Sequence, residues 1–180
     1  ITPILGAEVI GVDLSKSISN TDFNTVHDAF VTQSVLVFRD QDLSPQNMID
    51  FSRRFGSLMI HVLKDCLLDG YPEIYKLSNR LKNGKPDGRS YAGQYWHSDL
   101  TYETQPALGS LLYSIEAPDF GGDTLFSSTA YAYETLAPAI QKMLRGLTAE
   151  HLFAHAFRAG ENRSARKGDP VHNGQPSIIR

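Results

Sequence analysis

Apolar positions along the chain change period several times, and each change predicts an element. Val9 to Leu14 alternates in the manner of a half-buried strand. Phe23, Val26 and Phe30 then recur at spacings of three and four behind Asn20 and Thr21, either of which can cap a helix. Val35-Leu36-Val37-Phe38 is a continuous β-branched and aromatic run, which predicts a buried strand. Ser44-Pro45 opens a second helix, with the hydroxyl as N-cap and the proline in the first turn, where a missing N–H does no harm. Met48, Phe51 and Phe55 form its inner stripe and Gly56 its stop.

Beyond this, Glu73 to Leu77 reads as a short strand and residues 79–90 as a polar loop. Tyr91 to Tyr102 and Leu108 to Ile115 read as strands joined by a turn at Gln105-Pro106, and Thr124 to Ser127 as another. Helices are expected around Tyr131 to Leu136 and from Pro138 to Arg145, where Gly146 stops the second. Thr148 to Phe157 fits a strand or a helix, residues 158–176 a polar, basic loop or lid, and Ser177 to Arg180 a strand cut short. The mixture predicts one α+β domain over residues 1–180, with helices first and a mainly antiparallel sheet or barrel after them.

Composition changes the functional picture more than the fold. The 180 residues are 41% apolar and 21% charged, an ordinary globular balance. A net charge of −3 without blocks of like charge argues against nucleic acid or an anionic membrane surface as partner. No apolar run approaches the roughly 20 residues of a membrane-spanning helix. Cys66 is the single cysteine, so no intrachain disulfide can form; it is expected to be an inert thiol in a reducing, cytoplasmic setting. Ile1-Thr2-Pro3 carries neither a signal-peptide pattern nor an initiator methionine, and both ends are expected to be truncations.

Candidate chemistry centres on Trp96-His97-Ser98-Asp99. Residues two apart on a strand share a face, so the His97 imidazole and Asp99 carboxylate would project together. One neutral nitrogen and one hard oxygen make two of the three ligands of the facial triad of non-heme iron oxygenases, which leaves positions open for a co-substrate and O2. Taken alone, His-x-Asp describes a surface pair or a hydrogen-bonded histidine equally well. Downstream, Gly121-Gly122-Asp123-Thr124 is a hairpin-like turn leading to a hydroxyl that can donate to a carboxylate. His151 and His155, four apart, would pair as ligands only on a helix.

The run from Tyr95 to Leu147, beginning YWHSDLTYETQPALGS and continuing through APDFGGDTLF and AYAYETL, resembles the taurine dioxygenase / 2,4-dichlorophenoxyacetate dioxygenase family. In that family a W-H-T/S-D-x-T/S-F/Y segment precedes a G-G-D-T turn and an A-x-Y-x-x-L helix. Gly6 to Leu14 (GAEVIGVDL) and Arg54 to Leu58 (RFGSL) match too, so the resemblance covers nearly the whole chain. It implies a double-stranded β-helix, or jelly roll, with flanking helices, incomplete in this chain. It also implies a dioxygenase that uses Fe(II) as cofactor and 2-oxoglutarate as co-substrate with O2. His97 and Asp99 would be iron ligands, Thr124 would contact the 2-oxoglutarate carboxylate, and His61 and Phe157 would face the substrate. The family's third iron ligand, a distal histidine, and the 2-oxoglutarate arginine that follows it are expected outside this chain; His172 comes too early to match.

The implied reaction converts 2-oxoglutarate to succinate and CO2 and hydroxylates a small organic anion (a sulfonate, alkyl sulfate or aryloxyalkanoate) at the carbon beside the heteroatom. Three departures argue against taurine: Gly93 where taurine-specific members have asparagine, Lys64 in place of tyrosine, and Ala156 in place of serine. A homo-oligomer is expected from exposed aromatic strand edges. Two other readings stay open, a jelly-roll module that binds without turnover and a hydrolytic zinc site. Zinc hydrolases usually gather more histidines than His97 has nearby.

Overall fold

A computed structural model describes residues 4–90, 92–93, 95–151 and 177–179. They fall into two compact units, Ile1–Gly56 with Leu111–Gly146 and Ser57–Ser110 with Leu147–Arg180.

In the first unit, strand β1 (Ala7–Val9) pairs in parallel with β2 (Leu36–Phe38), Ala7 opposite Leu36 and Val9 opposite Phe38. Helix α1 (Asn20–Gln33) connects them. Its cap is Ser19, one residue before the expected Asn20; the Ser19 hydroxyl accepts from the Asp22 N–H at 3.1 Å and so satisfies an end donor that the helix cannot. Ser34, left-handed at φ +62°, ends the helix and donates its N–H to the Phe30 carbonyl at 2.8 Å. Helix α2 (Pro45–Arg53) starts where the sequence says, on a Ser44–Asn47 capping box with Pro45 at its first position.

The core lies where these pieces meet. Leu14, Phe23, Val26 and Phe51 are buried together, and Phe55 packs edge-on against Phe23 at 4.9 Å between ring centroids. Ile49 is buried as well, although the expected stripe did not include it. Arg54 explains the Arg-Phe-Gly motif. Its guanidinium lies 4.2 Å from the Phe23 ring centroid and donates to the Ile18 carbonyl (3.1 Å) and Asn20 Oδ1 (2.9 Å), which ties the end of α2 to the start of α1. Tyr113 binds the stretch before α2, accepting from Leu43 N–H and donating to the Gln41 carbonyl, each at 3.2 Å. Helices α3 (Thr129–Glu134) and α4 (Pro138–Leu144) appear close to their expected places.

The second unit contains the hairpin β3 (Leu67–Leu68) and β4 (Tyr71–Tyr75), a second hairpin β5 (Leu81–Lys82) and β6 (Lys85–Pro86), and the antiparallel pair β7 (Ala149–His151) and β8 (Ser177–Ile179). A 3₁₀ turn, Lys64–Cys66, leads into β3.

Several expectations need correction. The strand expected at Val9–Leu14 lies earlier, because Gly11 at φ +80° turns the chain away. The Gln41 side chain then takes over the pairing, donating to the Val12 carbonyl (3.1 Å) and accepting from the Leu14 N–H (2.8 Å). β2 is half-buried rather than buried, since it has one strand neighbour. The polar loop at 79–90 contains a hairpin whose two-residue turn, Asn83-Gly84, has positive φ at both positions, as a type I′ turn requires. The strands expected at Tyr91–Tyr102, Leu108–Ile115 and Thr124–Ser127 are turn, bend or irregular backbone among the described residues. Apolar alternation reports burial, whereas a strand needs a hydrogen-bonded neighbour, and periodicity cannot supply one. Thr148–Phe157 resolves as strand over Ala149–His151, while Phe157, His155, Ala156, His172 and the expected lid at 158–176 lie outside the described residues.

Candidate metal centre

His97 and Asp99 both belong to the second unit. They sit at the entrance to a turn rather than on a strand, so alternation is not what brings them together. Directly after them the chain reverses through Leu100, at φ +55°, and the Glu103 N–H closes the turn on the Leu100 carbonyl at 3.0 Å. His97 Nε2 comes to rest 3.3 Å from Asp99 Oδ1.

Each partner is held from behind. His97 Nδ1 lies 2.8 Å from the Tyr95 carbonyl, which can only accept, so Nδ1 carries a proton and Nε2 is the ring nitrogen left to face Asp99. Asp99 Oδ2 accepts from the Ser110 hydroxyl at 2.6 Å, leaving Oδ1 on the side of the imidazole. The side chains are 41% and 54% exposed, so an ion from solvent can reach them.

A 3.3 Å gap is too long for a charge-assisted N–H···O⁻ bond, typically about 2.7–2.9 Å. It suits two ligands of one cation, because adjacent vertices of an octahedron with bonds of about 2.1 Å are about 3.0 Å apart. A neutral imidazole and a carboxylate are also the donor types that first-row divalent metals take, and a ligating histidine held by a backbone carbonyl is a common second layer. The pair therefore fits a ferrous ion as two of its ligands. No group of three potential ligands occurs among the described residues.

His61 stands in the same unit. Its Nδ1 accepts the Leu63 N–H at 3.0 Å, which puts the proton of the neutral ring on Nε2, and the ring stacks on Tyr75 with centroids 4.3 Å apart. Burial pushes its pKa below the ordinary histidine value; the Asp99 charge opposes this and Arg89 adds to it. His61, Asp99 and Arg89 thus share one electrostatic neighbourhood. Arg89 is delivered there by the return of the β5–β6 hairpin: its N–H donates to the Lys76 carbonyl at 2.9 Å, and Ser78 donates to the Arg89 carbonyl at 3.1 Å. Gly88 permits that approach, since a Cβ there would stand 2.9 Å from the Lys76 oxygen. The Tyr102 phenol is pushed up to about 12, first by burial and then by the negative charges of Glu103 and Asp99. Burial also raises Tyr75, helped by its neighbour Cys66.

Thr124 belongs to the first unit, exposed on irregular backbone after Gly121 and Gly122, both at φ +76°. Phe157 lies outside the described residues. Sequence reasoning gave no role to Ser110, Arg89 or Tyr102. Tyr102 closes the W-H-T/S-D-x-T/S-F/Y segment, whereas Ser110 and Arg89 belong to no recognised motif, and Ser110 reaches Asp99 across eleven residues of chain.

Comparison with known proteins gives a consistent result. The family described as "Taurine catabolism dioxygenase TauD, TfdA family" matches residues 1–179. The chain is 35% identical over 159 residues to the alpha-ketoglutarate-dependent 2,4-dichlorophenoxyacetate dioxygenase of Cupriavidus pinatubonensis, covering 83% of this chain and 55% of that protein. It is 32% identical to the alpha-ketoglutarate-dependent sulfonate dioxygenase of Saccharomyces cerevisiae, covering 93% of this chain and 41% of that one. The crystal structure of a taurine dioxygenase from Burkholderia xenovorans superposes with a TM-score of 0.72 at 31% identity, over 84% of this chain and 51% of that chain. The chain thus spans about half the length of the curated relatives it matches.

Proposed function

Since the chain belongs to the TauD/TfdA dioxygenase family, we propose that the whole protein is an Fe(II)- and 2-oxoglutarate-dependent dioxygenase in which His97 and Asp99 hold the metal. The chain then forms part of one jelly-roll domain, and the distal histidine that the family resemblance places outside this chain completes the ligand set. Ferrous iron, when bound with 2-oxoglutarate, supplies the oxidising power for hydroxylating a C–H bond with O2.

The protein's own groups provide binding and orientation. The Tyr95 carbonyl fixes His97 in the tautomer that offers Nε2, and Ser110 keeps Asp99 from rotating. Thr124 donates its hydroxyl to a carboxylate of 2-oxoglutarate, and Phe157 forms an apolar wall for the substrate. His61, neutral and with its Nε2–H free of the Leu63 contact, donates to the anionic head of the substrate. That substrate is a small sulfonate, alkyl sulfate or aryloxyalkanoate. Taurine is disfavoured. Position 93 carries no side chain, and a Cβ there would lie 3.7 Å from the His97 ring, so the hydrogen-bonding asparagine of taurine enzymes is missing at the imidazole.

The observation that carries this reading is the convergence of His97 Nε2 and Asp99 Oδ1 with both remote atoms already held. Its test is Fe(II)-dependent succinate formation from 2-oxoglutarate by the full-length protein across a panel of organic anions. His97→Ala and Asp99→Ala are each expected to abolish it, and turnover that survives either change would remove the ligand assignment. A second reading is binding without turnover. Under it, 2-oxoglutarate would bind measurably while no succinate appeared.

A further inference from the structure

The two oxygens of the Asp99 carboxylate are not equivalent. Oδ1 faces His97 Nε2 at 3.3 Å, while Oδ2 takes the Ser110 O–H at 2.6 Å. That distance is typical of a charge-assisted O–H···O⁻ bond, about twice the strength of a neutral one. A carboxylate accepts at either oxygen and can grip a cation with both. Left free, Asp99 could rotate about its terminal torsion, which has broad, shallow minima. The Ser110 bond removes that freedom by occupying the oxygen turned away from the imidazole.

The geometry points to Ser110 as the residue that sets how Asp99 binds metal: it reserves Oδ2 and so makes Asp99 a one-oxygen ligand through Oδ1. This assignment rests on the proposed role of His97 and Asp99. It goes further, because nothing in the His-x-Asp motif requires a hydroxyl at position 110. The consequence concerns coordination number. With two histidines and one carboxylate oxygen, three positions stay open for the two oxygens of a 2-oxo acid and for O2. A two-oxygen grip by Asp99 would close one of them. Ser110 is therefore a positioning residue that acts through Asp99 and touches neither metal nor substrate.

Its solvent exposure makes the test clean, since a change at Ser110 disturbs no buried packing. Mn(II) alone is titrated into the metal-free full-length protein, wild type against Ser110→Ala and Ser110→Thr, with the thermal midpoint of each metal-free variant as a folding control. Second-layer losses typically weaken metal binding about 10–100-fold. Ser110→Ala is expected to weaken Mn(II) binding by about tenfold at an unchanged metal-free midpoint, and Ser110→Thr, which keeps the hydroxyl, to restore it. Unchanged affinity in Ser110→Ala, or equal weakening in both variants, overturns the role. His97→Ala and Asp99→Ala run alongside. If these lose Mn(II) while Ser110→Ala keeps it, only the Ser110 inference fails; if they also keep it, the metal reading itself fails.

Discussion

Leu100 occupies the left-handed region at φ +55°, directly after Asp99. A non-glycine residue pays roughly 1–2 kcal/mol there, and such strain tends to collect where function needs an unusual backbone. Here it turns the chain immediately beyond the His97–Asp99 pair, which itself converges without a strand beneath it. His61 shows the same dependence on surroundings. Burial lowers its pKa below 6.5, so as pH falls the unfolded chain takes up this proton first. The stability His61 contributes is therefore complete above the unfolded value of about 6.5 and is lost as pH falls through the depressed native value. The denaturant midpoint of the wild type is expected to drop between about pH 8 and about pH 5 by more than that of His61→Asn, whose amide oxygen can still accept the Leu63 N–H. Parallel drops would mean that other groups carry the acid sensitivity.

Among the elements, α2 is the one most fully specified by local chemistry. Ser44 Oγ accepts the Asn47 N–H at 3.2 Å, Asn47 Oδ1 accepts the Ser44 N–H at 3.0 Å, and Asn47 Nδ2 reaches the Ser15 carbonyl at 3.1 Å. Urea denaturation of Ser44→Ala is expected to show a loss of about 1 kcal/mol, and Ser44→Gly a loss of only a few tenths, because glycine is a tolerated cap and alanine is not. Equal losses would mean that the cap bond contributes little. The β5–β6 hairpin is the opposite case. Asn83-Gly84 is a strong turn signal, but Leu81, Lys82 and Lys85 around it lack the alternating apolar residues that normally accompany one, so polarity alone suggested a loop. That hairpin matters beyond itself, since its return strand carries Arg89 towards His61 and Asp99.

For the molecule as a whole, the buried core of the first unit is small, while Leu112, Ile115, Phe120 and Leu125 of the same unit are largely exposed, Ile115 at 89% and Phe120 at 94%. Apolar surface of this kind is usually an interaction surface. Expressed by itself, the 180-residue chain is expected to bind ANS strongly and to sediment as oligomers. A monomer that ignores the dye would show these side chains to be covered. No helix among the described residues is long and apolar enough to cross a membrane.

What the sequence determined by itself was local or specific to a motif. Helices α1 and α2 followed from caps and three-and-four spacing, because their signals lie within a few residues of one another. The family followed from His-x-Asp and the motifs around it, and the family match over residues 1–179 agrees with the resemblance that those motifs carry. What only the tertiary structure decided was every property that depends on residues distant in the chain. The apolar stretches between 95 and 127 do not pair as strands among the described residues, because periodicity does not supply a hydrogen-bonded neighbour. His97 and Asp99 meet on backbone that is not a strand, just before a left-handed turn at Leu100. Ser110 and Arg89 enter the neighbourhood of Asp99 because folding, not spacing, brings a hydroxyl and a charge beside a carboxylate.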